Sequence, residues 1–403
     1  MSASIKFGID RLIADAVLQS ALHGKRVALL GHAASVTGDG RHAMEALFQA
    51  GISLQAAFGP QHGIRGDVQD NMIETGDEQD AAYGIPVFSL YGTVRRPTAH
   101  MLDCFDVILV DLQDIGTRIY TFVTTLGYML EACATTGKSV WVLDRPNPAG
   151  RPIEGFRLRP GWESFVGLAP LLMRHGLTLG EIGQWYVDFK QLDVDYRIIG
   201  MAGYDLDAAP GFGWPVGQRA WVNPSPNASS LNMARCFPGT VLLEGTTLSE
   251  GRGTSTPLEV VGAPDLDRDR ILSVMQTLAP EWMEGCWIRP CFFAPTFHKH
   301  VGQLCYGIHL HTDHASYQHE VFHPFRLIAL WLKALRQVHP DYPIWRQFEY
   351  EYETERLAID LLCGGPMLRE WVDDSQAHPA DLEQMLLTDE DAWRQERSAY
   401  LIY

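Results

Sequence analysis

Five apolar, β-prone runs recur along the first 150 residues, and each ends in a polar turn that contains glycine or proline. They cover residues 26–30, 54–58, 86–90, 107–110 and 140–143. Helix-like stretches separate the runs, and this alternation is typical of a parallel sheet with helices packed on its faces. Ligands of such sheets bind outside the carboxyl ends of the strands. The polar turns are therefore the predicted location of the active or binding site.

Helical spacing of apolar residues predicts helices before, between and after these strands, over residues 10–23, 42–50, 97–104, 121–136 and 179–190. Thr178 is the predicted N-cap of the last helix, and Glu181 completes a capping box. Residues 196–201 form one more predicted strand, and residues 74–83 are polar enough to predict a loop. The pattern as a whole predicts an α/β domain with a parallel sheet over residues 1–215.

The pattern changes in the second half of the chain. Two prolines exclude a helix from residues 221–227, and residues 238–243 are predicted as a strand. Residues 291–295 and 304–311 alternate like half-buried strands, whereas residues 267–278, 323–338 and most of 356–403 are predicted helical. We expect residues 216–403 to form an α+β domain that closes over the first.

Composition narrows the class of protein. The chain has 403 residues, of which 46% are hydrophobic and 20% charged, as in a globular protein with a large core. Its formal net charge of -17 disfavours nucleic acid and anionic membrane surfaces as partners, but local arginines can still hold a small anionic ligand. We therefore expect a small-molecule partner, and oligomeric state is not indicated.

Cellular location is predicted from cysteine usage and from the absence of an export signal. The seven cysteines are dispersed without a CxxC pair, which predicts reduced and mostly buried thiols. The N-terminus lacks the apolar region of a secretory signal, and no apolar run is long enough to span a bilayer. The expected location is cytoplasmic.

Familiar cofactor and nucleophile motifs are missing from the sequence. The turn after the first strand, which begins Gly31-His32, lacks the G-x-G-x-x-G pattern, so no dinucleotide cofactor is expected and His32 is interpreted as a structural residue. There is no Walker A motif and no G-x-S-x-G elbow. His-x-His pairs at 298–300 and 309–311 match part of a zinc site, but spacing marks no third ligand, so no metal is predicted.

Carboxylates remain as candidate catalytic groups. Asp114 follows the fourth strand, and Glu244 and Glu250 lie in a glycine-rich stretch of the second half, near Arg252. Hydrolysis of a glycosidic bond needs a proton donor at the leaving oxygen and a group that stabilises positive charge at the anomeric carbon. Two carboxyls on facing domains would meet both needs.

Structural roles for the same residues stay open. Glu244 and Glu250 can cap turns and pair with Arg252. Asp114 can form a structural network with Arg118 and Tyr120.

Six ordered motifs together resemble a known family. They are Gln61-His62-Gly63-Ile64-Arg65-Gly66, Tyr91-Gly92 with Arg96-Pro97-Thr98, the stretch from Asp111 to Thr121, Asp144-Arg145-Pro146-Asn147-Pro148, Pro224-Ser225-Pro226-Asn227, and the stretch from Glu244 to Thr254. The set resembles the bacterial exo-β-N-acetylmuramidases (NamZ-like glycoside hydrolases), over nearly the whole chain. The resemblance implies a Rossmann-like N-terminal domain, an α+β C-terminal domain and a cleft between them.

The resemblance also implies an activity and a set of site residues. The activity is hydrolysis, without a cofactor, that releases terminal N-acetylmuramic acid (MurNAc) or a related amino sugar from peptidoglycan-derived glycans. A cytoplasmic enzyme would meet such fragments during cell-wall recycling. The candidate catalytic carboxyls are Glu250, Glu244 and Asp114. The candidate substrate-binding residues are Gln61, His62, Arg65, Tyr91, Gln113, Arg118, Tyr120, Asn223, Asn227 and Arg252. Among them, an arginine (Arg65, Arg118 or Arg252) would bind the lactyl carboxylate of the sugar, and Tyr91 or Tyr120 would stack on it.

One departure from the family pattern bears on the chemistry. The turn after the second strand usually reads Pro-Glu-His-Gly, and its glutamate is the leading catalytic candidate, but here the position is Gln61. An amide cannot act as a general acid, a role typically worth about 10²–10⁴-fold. Either another carboxyl is the acid or the chemistry has changed. A non-catalytic sugar or muropeptide binder is the main alternative, and an enzyme acting on another small ligand is the third.

Overall fold

The computed structural model describes residues 5–68 and 72–403, and its first half is built around a large sheet. The strands are β1 (Val27–Gly31), β2 (Leu54–Gly59), β3 (Glu78–Gln79), β4 (Pro86–Ser89), β5 (Val107–Asp111), β6 (Ser139–Leu143), β7 (Glu154–Arg157), β8 (Leu172–Arg174) and β9 (Asp195–Ile199). The helices are α1 (Gly8–Ala14), α2 (Ala16–Ser20), α3 (Ala43–Gln49), α4 (Ala99–Leu102), α5 (Phe122–Thr136) and α6 (Leu179–Lys190).

Seven of these strands form one sheet in the order β3-β4-β2-β1-β5-β6-β9. All neighbours pair in parallel except β3 and β4. The predicted parallel sheet is therefore confirmed, with all five apolar runs and the strand near residue 196 as members. The strand order reverses direction between β1 and β5, so the loops after β1, β2 and β5 meet at one edge.

Local side-chain chemistry explains one difference from the predicted elements. The helix predicted over residues 10–23 is divided at Asp15, which has an extended backbone and whose carboxylate accepts from the N–H groups of Val17 and Leu18. The capping box of Thr178 and Glu181 is present as predicted. The predicted loop at 74–83 contains β3, a two-residue edge strand.

The second half is an α+β arrangement. Its helices are α7 (Leu231–Thr240), α8 (Arg268–Leu278), α9 (Pro324–Val338), α10 (Ala358–Cys363), α11 (Met367–Asp373) and α12 (Pro379–Arg397). Its strands are β10 (Val260–Ala263), β11 (Trp287–Phe293) and β12 (Cys305–His311), which form an antiparallel sheet in the order β10-β12-β11. Short 3₁₀ turns cover Val241–Gly245, Pro280–Met283 and Ser398–Tyr400.

The strand predicted over residues 238–243 is wrong. These residues form the end of α7, with Pro238 inside it, and the start of the 3₁₀ turn Val241–Gly245. Every residue of the segment is buried, so its apolar run is continuous rather than periodic. Because a buried helix and a buried strand both read as unbroken apolar sequence, periodicity cannot separate them.

The two halves share one hydrophobic core. Buried residues of β5 and α5 belong to the same cluster as those of α7, α9 and α12, whereas α1, α3 and the other face of the sheet form a second cluster. The division at residue 215 stays a prediction. All seven cysteines are in the described part of the chain, where they are unpaired and five are buried. Within residues 5–68 and 72–403, no helix has the length and apolarity needed to cross a membrane.

Candidate active site

Loops from both halves of the chain enclose one cavity, which we call the central cavity. The turn after β2, the β5–α5 loop and the proline-rich 221–230 segment meet the Val241–Gly245 turn and a tight turn at residues 350–353. The polar residues that line the central cavity are Gln61, His62, Tyr120, Thr121, Ser225, Asn227, Glu244, Arg252, Tyr350 and Glu351. Its apolar lining is Ile119, Val166, Met233, Phe237, Val241 and Leu258. Six residues predicted from the sequence thus converge here: Gln61, His62, Tyr120, Asn227, Glu244 and Arg252.

The turn after β2 presents Gln61 and His62 to the cavity. His62 and Gly63 both have left-handed backbone, with φ of 71° and 76°. The amide of Gln61 accepts from the Thr121 hydroxyl (2.8 Å) and donates to the Glu351 carboxylate (3.2 Å). His62 Nδ1 lies 2.8 Å from the Val68 carbonyl, so this nitrogen carries the proton and Nε2 is the acceptor in a neutral ring. The turn therefore presents an amide and an imidazole to the cavity.

Glu244 is held by partners of its own half. One carboxylate oxygen accepts from Arg252 Nη2, and the other accepts from the Tyr350 hydroxyl at 2.7 Å. Arg252 also lies beside Glu250, with its Nε 3.3 Å from a carboxylate oxygen. The pairing of Glu244 with Arg252, which the sequence left open as a structural role, is therefore present. It fixes Glu244 at the cavity wall.

Glu250 lies behind Arg252 and does not line the cavity. It is fully buried beside two cations, Lys299 Nζ at 2.6 Å and Arg252 Nε at 3.3 Å, and beside the His298 ring, whose Nδ1 lies at 3.4 Å. Burial opposes its ionisation, but Lys299, His298 and Arg252 outweigh that effect and lower its pKa well below the usual range. This environment holds Glu250 as a carboxylate and suits it to positioning Arg252, not to donating a proton.

Glu351 is a cavity residue that the sequence interpretation missed. Its side chain is 8% exposed, and both carboxylate oxygens are bonded, one to Gln61 Nε2 and the other to the Tyr91 hydroxyl at 2.8 Å. Burial raises its pKa to about 7; the hydrogen bonds from Tyr91 and Gln61 oppose the rise, and the charge of Glu244 adds to it. The cavity therefore contains one carboxylate paired with a guanidinium and one carboxyl that is protonated below neutrality.

The two tyrosines predicted to stack on a sugar occupy different places. Tyr120 lines the cavity, packed edge-on against Phe122 and Phe237. Tyr91 is fully buried and binds Glu351, with the guanidinium of Arg95 over its ring. Tyr120 thus faces the cavity, whereas Tyr91 contacts it only through Glu351.

Two of the predicted arginines point away from the cavity. Arg65 is 62% exposed, pairs with Glu78 at 3.2 Å and lines a separate cleft of about 270 Å³. Arg118 is buried and donates to the Leu362 carbonyl at 3.0 Å; burial lowers its pKa to about 10. Arg252 is therefore the member of the predicted arginine set that faces the central cavity.

Three further predicted residues lie outside the cavity lining. Asn223 is exposed. Gln113 lines a different cavity and donates from its amide to the carbonyls of Asp114 and Pro146. Asp114 accepts from the Gly116 N–H at 2.7 Å and lies 3.5 Å from His175 Nε2. The predicted network of Asp114, Arg118 and Tyr120 is replaced by these separate contacts.

His32 joins the two halves beside the site. Its Nδ1 lies 3.0 Å from the Pro224 carbonyl, and its Nε2 accepts from the Gln113 N–H at 2.9 Å. Burial lowers its pKa to about 3, so the ring is neutral and its tautomer is fixed. The structural interpretation of His32 agrees with these contacts.

The two His-x-His segments pack against carboxylates and backbone. His298 and Lys299 contact Glu250, and His300 Nε2 lies 2.7 Å from the Thr247 carbonyl. His309 Nε2 lies 3.2 Å from Glu259. Among the residues that the structure describes, no group of three or more His, Cys, Asp and Glu side chains is arranged to hold a metal ion.

An open groove continues from the central cavity. The cavity itself is small, about 50 Å³, whereas the groove is about 580 Å³, and Asn227 lines both. The groove wall is uncharged and combines hydroxyls with two aromatic rings: Ser229, Thr254, Ser255, Thr296, Phe293 and Phe297. Such a wall fits a polar, uncharged ring better than an ion.

Comparisons with known proteins match this chain along nearly its whole length. Family models described as exo-beta-N-acetylmuramidase NamZ match residues 27–232 (N-terminal part) and 235–403 (C-terminal part). The chain is 34% identical to the peptidoglycan beta-N-acetylmuramidase NamZ of Bacillus subtilis (strain 168), covering 99% of this chain and 91% of that protein. Two crystal structures of DUF1343 family proteins from Bacteroides fragilis superpose with TM-scores of 0.85 and 0.74, at 26% and 23% identity. The first alignment covers 99% of both chains; the second covers 100% of this chain and 99% of the other.

Proposed function

This chain belongs to the exo-β-N-acetylmuramidase NamZ family, and we propose that it is a glycosidase that releases terminal β-linked MurNAc from peptidoglycan-derived fragments. One observation supports this most strongly: residues from both halves enclose a cavity with two carboxyls, an arginine and neutral hydrogen-bonding groups. Most glycosidases use two carboxyl groups in different protonation states to cleave the glycosidic bond. The environments of Glu244 and Glu351 provide that difference.

The cavity and the groove suggest how a glycan would lie. The terminal sugar lies at the mouth of the central cavity, which is too small to hold it whole, and His62, Tyr120 and Asn227 contact its reacting end. The rest of the fragment follows the uncharged groove beyond Asn227. A site that is closed at one end and open at the other favours cleavage of terminal residues.

Glu244 and Arg252 have separate roles in this proposal. Glu244 is the carboxylate that stabilises positive charge developing at the anomeric carbon. Arg252 orients Glu244 and offers its remaining N–H groups to the lactyl carboxylate of MurNAc. Glu250 holds Arg252 from behind, and Asp114 supports the β5–α5 loop through the Gly116 N–H.

Product analysis tests the proposal. The purified protein should release free MurNAc from a β-MurNAc-GlcNAc disaccharide. It should also release 4-nitrophenol from 4-nitrophenyl β-MurNAc. Glu244→Gln should lower kcat by about 10²-fold or more, because it removes charge stabilisation at the reacting carbon. Glu349→Gln, which changes an exposed carboxyl, is the control. Full activity in Glu244→Gln would show that the reaction centre is elsewhere.

Gln61 favours a second candidate, a non-catalytic sugar or muropeptide binder. Its amide occupies the cavity wall and cannot supply a proton. Calorimetry showing tight MurNAc binding without turnover, in both the native protein and Gln61→Glu, would support the binder. Hydrolysis gained only in Gln61→Glu would identify a decayed enzyme. Turnover in a screen of other 4-nitrophenyl sugars, with none on MurNAc, would point to a different substrate.

The physiological setting is also part of the proposal. Free MurNAc and a shortened fragment are the products expected when cell-wall fragments are recycled. A cytoplasmic location remains a prediction from the sequence.

A further inference from the structure

We infer that Glu351 is the general acid of the central cavity, the group that gives a proton to the leaving oxygen. The inference rests on the proposed glycosidase function and assigns a catalytic residue within it. The carboxyl groups that line the cavity limit the choice of acid. Among the described residues, Glu244 and Glu351 are the two that line the cavity, and Glu244 is paired with Arg252. Gln61 has no acidic proton to give, so Glu351 is the candidate that remains.

The backbone around Glu351 holds its carboxyl at the cavity. Glu351 and Tyr352 both adopt left-handed backbone, with φ of 48° and 68°, and neither is glycine. Two reciprocal backbone hydrogen bonds between Tyr350 and Glu353, of 3.1 and 3.0 Å, close the turn. Left-handed backbone costs energy in residues with a side chain and is concentrated at functional sites. Here it turns Glu351 inward, while Tyr352 stays 52% exposed.

Side-chain contacts fix the orientation of the Glu351 carboxyl and leave some of its lone pairs unused. Gln61 Nε2 donates to one oxygen at 3.2 Å, and the Tyr91 hydroxyl donates to the other at 2.8 Å. Each carboxyl oxygen has two lone pairs, so a proton can be carried beside these bonds. Tyr91 is in turn fixed by Arg95, whose guanidinium lies 4.1 Å from the ring centroid.

Electrostatics give this carboxyl a proton near neutrality. Burial raises the pKa of Glu351 to about 7, and the negative charge of Glu244 acts in the same direction. A general acid works best when its pKa is close to the operating pH, because it then holds a proton and also releases it. Glu250, whose pKa is lowered by its cationic neighbours, has the opposite property.

The proton of the Glu351 carboxyl moves to the glycosidic oxygen while the bond from that oxygen to the anomeric carbon breaks, and the bonding electron pair stays with the oxygen. The leaving group departs as an alcohol, and Glu351 is left as a carboxylate. Water supplies the hydroxyl at the anomeric carbon, and its remaining proton returns the enzyme to its starting protonation state.

Leaving-group dependence tests the assignment. A sugar alcohol needs a proton in order to leave, whereas 2,4-dinitrophenolate does not. Glu351→Gln should therefore lower kcat/KM by about 10²–10⁴-fold on β-MurNAc-GlcNAc and far less on 2,4-dinitrophenyl β-MurNAc. The alkaline limb of the wild-type pH profile, expected near 7, should disappear in the variant on the disaccharide. Glu349→Gln, on the same segment but exposed, should behave as wild type on both substrates.

The outcomes separate this inference from the proposed function. Wild-type turnover with equal losses on both substrates in Glu351→Gln would assign Glu351 to folding or binding and overturn the acid role. Unchanged turnover of the disaccharide in Glu351→Gln would overturn it as well. In both cases the glycosidase function would stand. If the wild-type protein turned over neither substrate, the proposed glycosidase function would be refuted, and the acid role of Glu351 with it.

Discussion

Replacing Gln61 with glutamate places a second carboxyl against Glu351. In the native protein the two side chains are joined by one hydrogen bond of 3.2 Å, from Gln61 Nε2 to Glu351 Oε1. In Gln61→Glu, a carboxyl oxygen takes the place of that nitrogen, while the Thr121 hydroxyl still donates to the other oxygen. Both carboxyls are nine-tenths buried. The variant therefore converts a neutral contact into a potential like-charge pair.

The magnitude follows from the separation. Two unit charges 3.2 Å apart repel by about 5 kcal/mol at an effective dielectric constant of about 20. At 1.36 kcal/mol for each tenfold change, this is a change in proton affinity of roughly a thousandfold or more. One proton is then shared between the carboxyls across the neutral range, as in other carboxylate dyads.

The assay is the pH dependence of kcat/KM on β-MurNAc-GlcNAc. The wild-type alkaline limb should fall near 7, and the limb of Gln61→Glu should move clearly to higher pH. Gln61→Met is the matched control: it loses a hydrogen bond that favours ionised Glu351, so its limb should move upward only slightly. The stability of Gln61→Glu should also fall as pH rises through the raised pKa, because the buried pair must then ionise. If the alkaline limbs of kcat/KM fell at the same pH in Gln61→Glu and Gln61→Met, electrostatic coupling between the carboxyls of residues 61 and 351 would be refuted.

Three further predictions concern residues around the site. His32 is buried and has a pKa of about 3, against 6.5 in the unfolded chain, so its contribution to the free energy of unfolding is full above pH 6.5 and falls as the pH drops toward 3. We expect about 2 kcal/mol of unfolding free energy to be lost between pH 8 and pH 5. Denaturant titrations of His32→Gln should lack this pH-dependent loss. Arg252→Lys should lower kcat/KM by about 10–100-fold, because lysine cannot bind Glu244 and reach Glu250 together, and wild-type kinetics would contradict this role. Arg118→Met should keep KM for MurNAc substrates and leave thermal stability equal or higher, since the buried guanidinium donates to a carbonyl; a large rise in KM would instead make Arg118 a ligand.

The sheet was predictable because each strand is an apolar run followed by a turn. β1, β2, β4, β5 and β6 all match the predicted runs to within about two residues. The parallel order then brings the following turns to one edge, which is why Gln61, His62 and Tyr120 could be assigned to one site. Topology alone thus accounts for the N-terminal side of the cavity.

The remaining site depends on contacts between distant parts of the chain. Glu351 lies 290 residues from Gln61, in an acidic stretch with no periodicity, and only the folded structure shows that it is buried beside Tyr91. The three candidate arginines could not be ranked for a similar reason. Arg118 follows the β5 motif but points into the core, whereas Arg252 reaches the cavity through its pairing with Glu244.

In the proposed function, the two halves of the chain meet around the cavity that receives the reacting end of terminal MurNAc. A crystal structure of Glu351→Gln with intact β-MurNAc-GlcNAc tests it most directly. We expect the MurNAc ring at the mouth of the central cavity, its anomeric carbon between Glu244 and residue 351, and the second sugar in the groove beyond Asn227. A disaccharide bound instead in the separate cleft beside Arg65, with the central cavity unoccupied, would refute this location of the reaction.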